Sequence, residues 1–313
     1  MEEFLIEIDQ DEMRIDAVLA EQFPDLSRSH FQKLIKDGKI LINGESVKPS
    51  YKCSVDDSVT LFDIEPKPVE IVPEDIPLDI LFEDSDILVV NKPKDMVVHP
   101  GNGHLSGTLV NAIMFHCKDD LSGINGEIRP GIVHRIDKDT TGSLVICKND
   151  KAHIFLADKM KDHDIDRIYL GIVKGNHIPD KGIVDEPIGR DPKNRIKMAV
   201  NHKNGKTACT HYVKLAENDG YALMAFRLET GRTHQIRVHM AHLGFPLLGD
   251  EVYGPKQSKF HLQGQCLHAY KLGFLHPSTK EYMAFYAPIP EYFAHLTDVL
   301  HLEFDLSNLE STI

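Results

Sequence analysis

The most informative segment of the chain is residues 129–142, RPGIVHRIDKDTTG. Its Pro-Gly start and Thr-Thr-Gly end are typical of turns, and the apolar run Leu144–Cys147 that follows predicts a buried strand. Asp137 lies between two bases, Arg135 and Lys138. A nearby positive charge favours the ionised form of a carboxylate. Such a group could act as a nucleophile or base, and the alternative is a structural ion pair that fixes the loop.

The composition indicates a globular protein of the reducing cytosol. The chain has 313 residues, a formal net charge of −13 and 42% hydrophobic residues, enough for one large and one small domain. Its five cysteines include no Cys-x-x-Cys pair, which argues against a thiolate metal site. The N-terminus lacks the features of a signal peptide, and no apolar run approaches the about 20 residues that span a bilayer. We expect a cytoplasmic monomer without a membrane partner.

One stretch within the first 64 residues differs in charge from the rest of the chain. Residues 12–64 predict two short helices followed by a hairpin at Asn43-Gly44. Between Ser27 and Lys52 there are six basic and two acidic side chains, a net of +4 on an acidic chain. This distribution favours contact with a nucleic-acid backbone. The alternative is a solvated helix face without a partner.

The remaining chain predicts a linker, a large domain and a tail. Residues 65–79 carry four prolines, typical of an extended linker. Residues 80–297 contain many short strands with helices between them, which predicts an α+β domain with a mixed, largely antiparallel sheet flanked by helices. Residues 298–313 have four acids and no Lys or Arg, and we expect a surface helix or partial disorder there.

Residues 232–244, RTHQIRVHMAHLG, predict a helix that ends at Gly244. Arg232 and Arg237 lie near its start, where backbone N–H groups and the helix dipole favour anions. The three histidines lack the spacing of a zinc-binding helix, which argues against a metal site.

Two further segments offer groups that could contact RNA. Residues 167–175 alternate like a strand, and Tyr169 within it is either a core tyrosine or an aromatic platform for a nucleobase. Residues 190–206 have six bases and one acid, as expected of an exposed loop that contacts phosphates.

These segments together resemble a known family. Residues 12–64 resemble the S-four-type RNA-binding domain, and residues 12 to about 290 resemble the large-subunit ribosomal RNA pseudouridine synthases of the A/D family, most closely the D type. The motifs that carry the resemblance are Arg14-x-Asp16, Leu26-Ser27-Arg28, Asn91-Lys92-Pro93, Gly131–Gly142, Arg167-x-Tyr169, Gly231–His239, Leu247–Asp250, Tyr253-Gly254, Leu267–Ala269 and His276-Pro277.

The resemblance implies roles for specific residues. Asp137 is expected to be the catalytic aspartate, Tyr169 to pack on the target base and Arg237 to pair with the catalytic carboxylate. Arg135 is expected to help hold the space left by the extruded nucleotide. A departure is Asp95, which stands where many members have glycine. Further residues expected to contact RNA are His134, Arg232, His234, Gln235, Arg28, Lys33 and Lys36.

The implied reaction is the isomerisation of uridine to pseudouridine. It breaks the N1–C1′ bond, turns the base and forms a C5–C1′ bond, so it is redox-neutral and requires no cofactor or metal. The carboxylate either attacks the ribose or removes a ribose proton to give a glycal. The uridine must leave its stack at a cost of about a few kcal/mol. The expected substrate is large-subunit ribosomal RNA or its assembling particle. The alternatives are a transfer RNA substrate or a catalytically silent RNA-binding assembly factor.

Overall fold

The computed structural model describes residues 2–24, 26–62, 71–101, 104–118, 120–124, 129–194, 197–255 and 260–313. The chain forms two compact units, residues 1–69 and 70–313. Residues 65–70 of the expected linker lie outside the described residues. The rest of that segment packs on the second unit, since Ile71 is buried in its core and the Asn111 amide donates to the carbonyl of Val72.

The first unit consists of two helices and a four-stranded antiparallel sheet of order β1-β4-β2-β3. Its elements are β1 (Glu2–Leu5), α1 (Ile15–Gln22), α2 (Arg28–Lys36), β2 (Ile40–Ile42), β3 (Glu45–Ser46) and β4 (Ser58–Leu61). The predicted helices and the Asn43-Gly44 hairpin are confirmed, with positive φ at both turn residues. Strand β1 was not predicted, because it pairs with β4, which is distant in sequence.

A buried carboxylate joins the two helices of the first unit. The side chain of Asp16 is fully buried and accepts hydrogen bonds from Arg14 (3.0 and 2.9 Å), Arg28 (2.8 Å) and Gln32 (2.5 Å). Burial alone would raise the pKa of Asp16, but hydrogen bonds from these three side chains lower it well below its usual range. Arg28, expected to contact RNA, therefore also has a structural contact.

The second unit is built on a nine-stranded sheet of order β5-β6-β7-β14-β8-β13-β12-β9, with β15 paired to β14. Its strands are β5 (Ile80–Glu83), β6 (Ile87–Lys92), β7 (Thr141–Cys147), β8 (Asp166–Lys174), β9 (Lys181–Asp185), β12 (Cys209–Asn218), β13 (Tyr221–Leu228), β14 (Leu267–Leu275) and β15 (Tyr282–Tyr286). The β7–β14 pair is parallel and the others are antiparallel. A separate hairpin is formed by β10 (Ile188–Arg190) and β11 (Met198–Val200).

Helices cover both faces of this sheet. They are α3 (Leu109–Cys117), α4 (Asp150–Lys161), α5 (Gln235–His242), α6 (Glu291–Val299) and α7 (Leu309–Thr312). In β8, Tyr169 belongs to the core cluster that includes α3 and α5, whereas its neighbours Ile168 and Leu170 belong to the cluster that includes α6. This alternation places Tyr169 on the same face as α5. The expected α+β class with a mixed, largely antiparallel sheet is confirmed.

The Thr-Thr-Gly signal was interpreted as a turn, and that interpretation is wrong. Thr141 and Gly142 are the first residues of β7, and their parallel partners are His268 and Ala269. Gly142 has φ 113°, and a Cβ there would collide with the carbonyl oxygen of Ala269. Close approach of two backbones therefore requires glycine at this position.

The expectation of a surface or disordered tail is also wrong. Leu300, Leu302 and Leu309 are buried in the core cluster with α6, and the Glu310 carboxylate lies 2.7 Å from Lys271 Nζ. Residues 298–313 thus contribute apolar side chains to the core. No helix among the described residues is both long and apolar enough to cross a membrane.

We expect Asp16→Ala to destabilise the first unit by about 2 kcal/mol, the typical contribution of hydrogen bonds to a charged group. Arg14 and Arg28 are roughly half exposed and can hydrate, which limits the cost. Because the pKa of Asp16 is lowered by folding, this stabilisation is present above the unfolded-state pKa of about 3.9 and is lost as the pH falls towards the folded-state pKa.

Hydrogen exchange of the α1 and α2 amides in the intact protein measures this change. Glu21→Ala, which removes an exposed acid from α1, is the matched control. Unchanged protection in Asp16→Ala, or equal loss in the control, would contradict the structural role of the buried carboxylate.

Candidate active site

Asp137 lies in the loop between the isolated bridge residue Ile132 and strand β7. Its side chain is 18% exposed, so one side reaches solvent. The Arg237 guanidinium donates from NH1 to Asp137 Oδ2 over 3.0 Å. These two residues are 100 positions apart, and the fold brings them together on the face that carries α5.

A second carboxylate holds Arg237. Its Nε and NH2 groups donate to Asp250 Oδ2 and Oδ1 over 2.7 and 3.0 Å. Asp250 is fully buried, and its Oδ1 also accepts from the backbone N–H groups of Val252 and Tyr253. Burial alone would lower the pKa of Arg237, but the hydrogen bonds to Asp250 and the charges of both carboxylates raise it. The arginine is therefore a fixed positive charge beside Asp137.

Asp250 was not among the predicted site residues. The motif Leu247–Asp250 is part of the family resemblance, but a buried bidentate partner cannot be recognised without the contact to Arg237. The sequence signal for this role was the acidic residue at the end of that motif.

Asp137 and Tyr169 line one open pocket of about 440 Å³, a volume suited to a small ligand or a single nucleoside. Its lining also includes the charged or aromatic side chains of Arg135, Arg232, His234 and Arg237. Tyr169 is 7% exposed, and burial raises the pKa of its hydroxyl, which therefore stays neutral. The pocket thus combines a carboxylate, positive groups and an aromatic surface.

Arg135 faces this pocket and is held by a neutral histidine. The Arg135 guanidinium NH1 lies 3.3 Å from His99 Nε2. Burial and the charges of Arg135 and Arg129 lower the pKa of His99 to about 4, so His99 is unprotonated at neutral pH and accepts this hydrogen bond. His99 is a support that sequence reasoning missed.

The bases that flank Asp137 in sequence are not its partners. Lys138 Nζ lies 2.7 Å from Asp95 Oδ1. Asp95 has φ 67°, a backbone conformation that glycine adopts readily, which agrees with the glycine that the resemblance implies at this position. Lys138 therefore pairs with Asp95, whereas the ion-pair partner of Asp137 is Arg237.

Lys92 holds the backbone of the Asp137 loop. Its fully buried ammonium donates to the carbonyls of Pro93, Met96 and Lys138 over 2.8 to 2.9 Å. Burial lowers the pKa of Lys92 to about 7. Three carbonyl acceptors match the three protons of the ammonium form, so we assign the charged form on geometry. The bond to the Lys138 carbonyl fixes the backbone of the residue next to Asp137.

Two residues expected to contact RNA have internal partners. His134 lines the pocket, but its Nε2 accepts from the backbone N–H of Val145 over 3.1 Å, and burial lowers its pKa to about 3. Gln235 is 3% exposed, with its amide donating to the Cys209 carbonyl and Thr210 hydroxyl. These contacts connect the Asp137 loop and α5 to the sheet.

The other residues predicted to contact RNA lie in different parts of the structure. Arg232 lines the pocket and its Nε donates to the Thr207 carbonyl over 2.8 Å. His234 begins α5 and is discussed below. Lys33 and Lys36 are exposed on α2 of the first unit. His239, one of the three histidines considered for zinc, is buried and bonded to the Thr210 hydroxyl and the Glu186 carbonyl.

Comparison with known proteins identifies relatives across nearly the whole chain. Residues 86–242 match the family model for RNA pseudouridylate synthase, and residues 13–59 match that of the S4 domain. A Bacillus subtilis protein that is named an uncharacterized RNA pseudouridine synthase is 50% identical over 292 residues, covering 93% of this chain and 95% of the relative. The ribosomal large subunit pseudouridine synthase D of Zymomonas mobilis is 46% identical over 288 residues, covering 89% of this chain and 90% of the relative.

A solved human structure, RNA pseudouridylate synthase domain containing 4, has a similar fold. Its TM-score is 0.57 at 26% identity, with 72% of this chain and 94% of that chain covered. The match to the S4 domain agrees with the expected nature of the first unit.

We expect Asp250→Ala to destabilise the second unit by about 3 kcal/mol, because it removes one partner from a buried ion pair. Asp137→Ala should cost less, since Asp137 is partly exposed and shares one hydrogen bond with Arg237, which keeps Asp250. Urea denaturation of the intact protein, with hydrogen exchange of α5, compares the two variants. Equal losses would contradict the assignment of Asp250 as the main support of Arg237.

Proposed function

The chain belongs to the RNA pseudouridylate synthase family, and on that premise we propose that it isomerises uridines of large-subunit ribosomal RNA. The observation that carries the proposal is the Asp137–Arg237 contact in a pocket lined by Tyr169. The substrate class follows from relatives named ribosomal large subunit pseudouridine synthase D. An S4 domain at the N-terminus supports an RNA substrate.

We propose Asp137 as the catalytic carboxylate. Its Oδ2 accepts from Arg237, whereas Oδ1 lies 3.8 Å from His234 Nε2. Oδ1 is therefore the oxygen available to the ribose. It would either attack C1′ as the N1–C1′ bond breaks, or take the C2′ proton as that same bond breaks to give a glycal and the free uracil.

Tyr169 would hold the extruded uridine, and Arg135 would hold the space that the uridine leaves in the RNA. Stacking of a base on an aromatic side chain contributes about 1–3 kcal/mol and offsets part of the cost of extrusion. Arg135, oriented by His99, would occupy the space that the uridine leaves. The reaction moves no electrons to or from an external acceptor, so we expect no cofactor or metal requirement.

The first unit would supply affinity for the RNA backbone. Lys33 and Lys36 lie on the exposed side of α2, one turn apart. Their charges would replace counterions on phosphates without recognising sequence. We further expect a monomer that acts in the cytoplasm, consistent with the five free thiols.

Mapping pseudouridines in total RNA by carbodiimide modification, with and without the gene, tests the substrate. Loss of sites from large-subunit ribosomal RNA is the expected result. Loss only from transfer RNA would overturn the proposed substrate, and no loss from any RNA would point to a silent binding protein.

We expect Asp137→Ala to abolish pseudouridine formation while the protein stays folded. The reason is that the variant removes the only group in our mechanism that reacts with the ribose. Tritium release from RNA labelled at uridine C5 measures the activity, and Asp158→Ala, an exposed acid on α4, is the matched control. Full activity in Asp137→Ala would sink the mechanism.

We expect the double variant Lys33→Gln/Lys36→Gln to bind ribosomal RNA more weakly, with a shallower dependence of affinity on salt. The slope of log affinity against log salt should fall by about 0.7 for each lost phosphate contact to single-stranded RNA. Lys151→Gln/Lys181→Gln alters two exposed lysines of the second unit and gives the same change in net charge. Identical slopes in both variants would contradict a binding role for α2.

A further inference from the structure

We propose that His234 is a positioning residue for Asp137, held by Tyr253 so that its Nε2–H points at the reactive carboxylate oxygen. The inference rests on the proposed role of Asp137. It replaces the expectation that His234 contacts RNA with a role inside the catalytic site.

The three groups form a continuous chain. His234 Nδ1 lies 2.8 Å from the Tyr253 hydroxyl, and His234 Nε2 lies 3.8 Å from Asp137 Oδ1. The two rings meet edge to face, with centroids 5.6 Å apart and planes at 77°. The face of Tyr253 also lies 5.1 Å from the Arg237 guanidinium carbon. The ring of His234 is thus fixed from the side opposite Asp137.

The hydrogen bonds of Tyr253 determine the tautomer of His234. The Tyr253 oxygen already accepts from the backbone N–H of Met198 over 2.9 Å. Burial raises the pKa of Tyr253, so the phenol keeps its proton, and donation to His234 Nδ1 satisfies it. Nδ1 is then an acceptor, and a neutral imidazole must carry its proton on Nε2, facing Asp137.

The charges around His234 favour this neutral form. Burial lowers the pKa of His234; the negative charges of Asp137 and Asp250 oppose that change, and the positive charges of Arg237 and Arg135 add to it. At neutral pH the ring is therefore an uncharged donor. It stabilises the carboxylate without competing with Arg237 as a counter-ion.

The distance of 3.8 Å is significant for the chemistry. It is too long for a full hydrogen bond, so the lone pairs of Asp137 Oδ1 stay available for reaction. An N–H dipole at this position still orients Oδ1, while Arg237 holds Oδ2. Asp137 is then restrained at both oxygens, with only one in a direct hydrogen bond.

The backbone conformation of His234 supports a specific role for this residue. It has φ 58° and ψ 24°, the left-handed region that most side chains avoid, at the N-cap of α5. The bond from Met198 also connects hairpin β10–β11 to Tyr253. Strand β11, which lies within the basic segment 190–206, is therefore linked through Tyr253 and His234 to Asp137.

Two variants test the proposal. His234→Asn keeps a residue that tolerates the left-handed conformation but removes the donor near Oδ1. Tyr253→Phe keeps both rings and removes the hydroxyl that selects the tautomer. Single-turnover tritium release from C5-labelled total RNA, prepared from cells lacking the gene, gives the rate, and filter binding gives the affinity for the same RNA.

We expect the rate of His234→Asn to fall about 100-fold through misplacement of Asp137, with RNA affinity unchanged. Tyr253→Phe should be about tenfold slower at neutral pH, as expected for a lost hydrogen bond. The controls are His242→Asn, an exposed histidine at the end of α5, and Tyr286→Phe, whose hydroxyl contacts Glu310 in the C-terminal segment.

The pH profile separates positioning from packing. Without the Tyr253 hydroxyl, His234 can carry its proton on Nδ1 and turn an unprotonated Nε2 towards Asp137. As the pH falls from about 8 to about 5, a growing fraction of the rings carries a proton on both nitrogens, which restores Nε2–H; because burial lowers the pKa of His234, this effect belongs to the acid end of the range. The ratio of the wild-type rate to the Tyr253→Phe rate should therefore fall towards one as the pH falls.

A ratio that is constant across this range, or a His234→Asn rate equal to wild type, would overturn the proposal. If His234→Asn fails to fold, the pH profile of Tyr253→Phe decides alone. Asp137→Ala assayed in parallel separates the two claims. An inactive Asp137→Ala with a fully active His234→Asn refutes only the positioning role, whereas an active Asp137→Ala refutes the proposed function itself.

Discussion

The guanidinium of Arg237 lies between two carboxylates, and the candidate site depends on this arrangement. Two of its nitrogens bind Asp250, which is buried and bonded to its own turn, and the third binds Asp137. Arginine suits this position because its planar donors can serve two carboxylates in fixed directions. Asp250 therefore fixes the arginine, and the arginine fixes the orientation of the loop carboxylate.

The sheet and a buried lysine position Tyr169 and the loop of Asp137 beside Arg237. Alternation along β8 places Tyr169 on the face of the sheet that also carries α5. Lys92, at the end of β6, binds the carbonyl next to Asp137 and so connects the loop to the sheet. The loop that carries Asp137 is consequently tied to the sheet, as a site needs if its geometry is to be held before the substrate arrives.

Several polar residues near Asp137 form hydrogen bonds or ion pairs within the protein. Gln235 and His134 bind backbone or side-chain groups of the sheet, and Lys138 pairs with Asp95. A polar group buried in a pocket wall must find a partner, because leaving it unsatisfied is costly. The groups that remain directed at the pocket include the Oδ1 side of Asp137, Arg135 and Arg232.

The sequence alone determined the α+β class, most strands and helices, the basic stretch between Ser27 and Lys52 and the reaction family, because periodicity, turn residues and motif order are local properties. It could also suggest Asp137, Tyr169 and Arg237, through resemblance. Only the tertiary structure decided the partners: Asp250 for Arg237, His99 for Arg135, and Gly142 as a site of backbone contact and not a turn. Those contacts join residues far apart in sequence, and a pattern along the chain carries no record of which distant side chain will fill a buried group's hydrogen bonds.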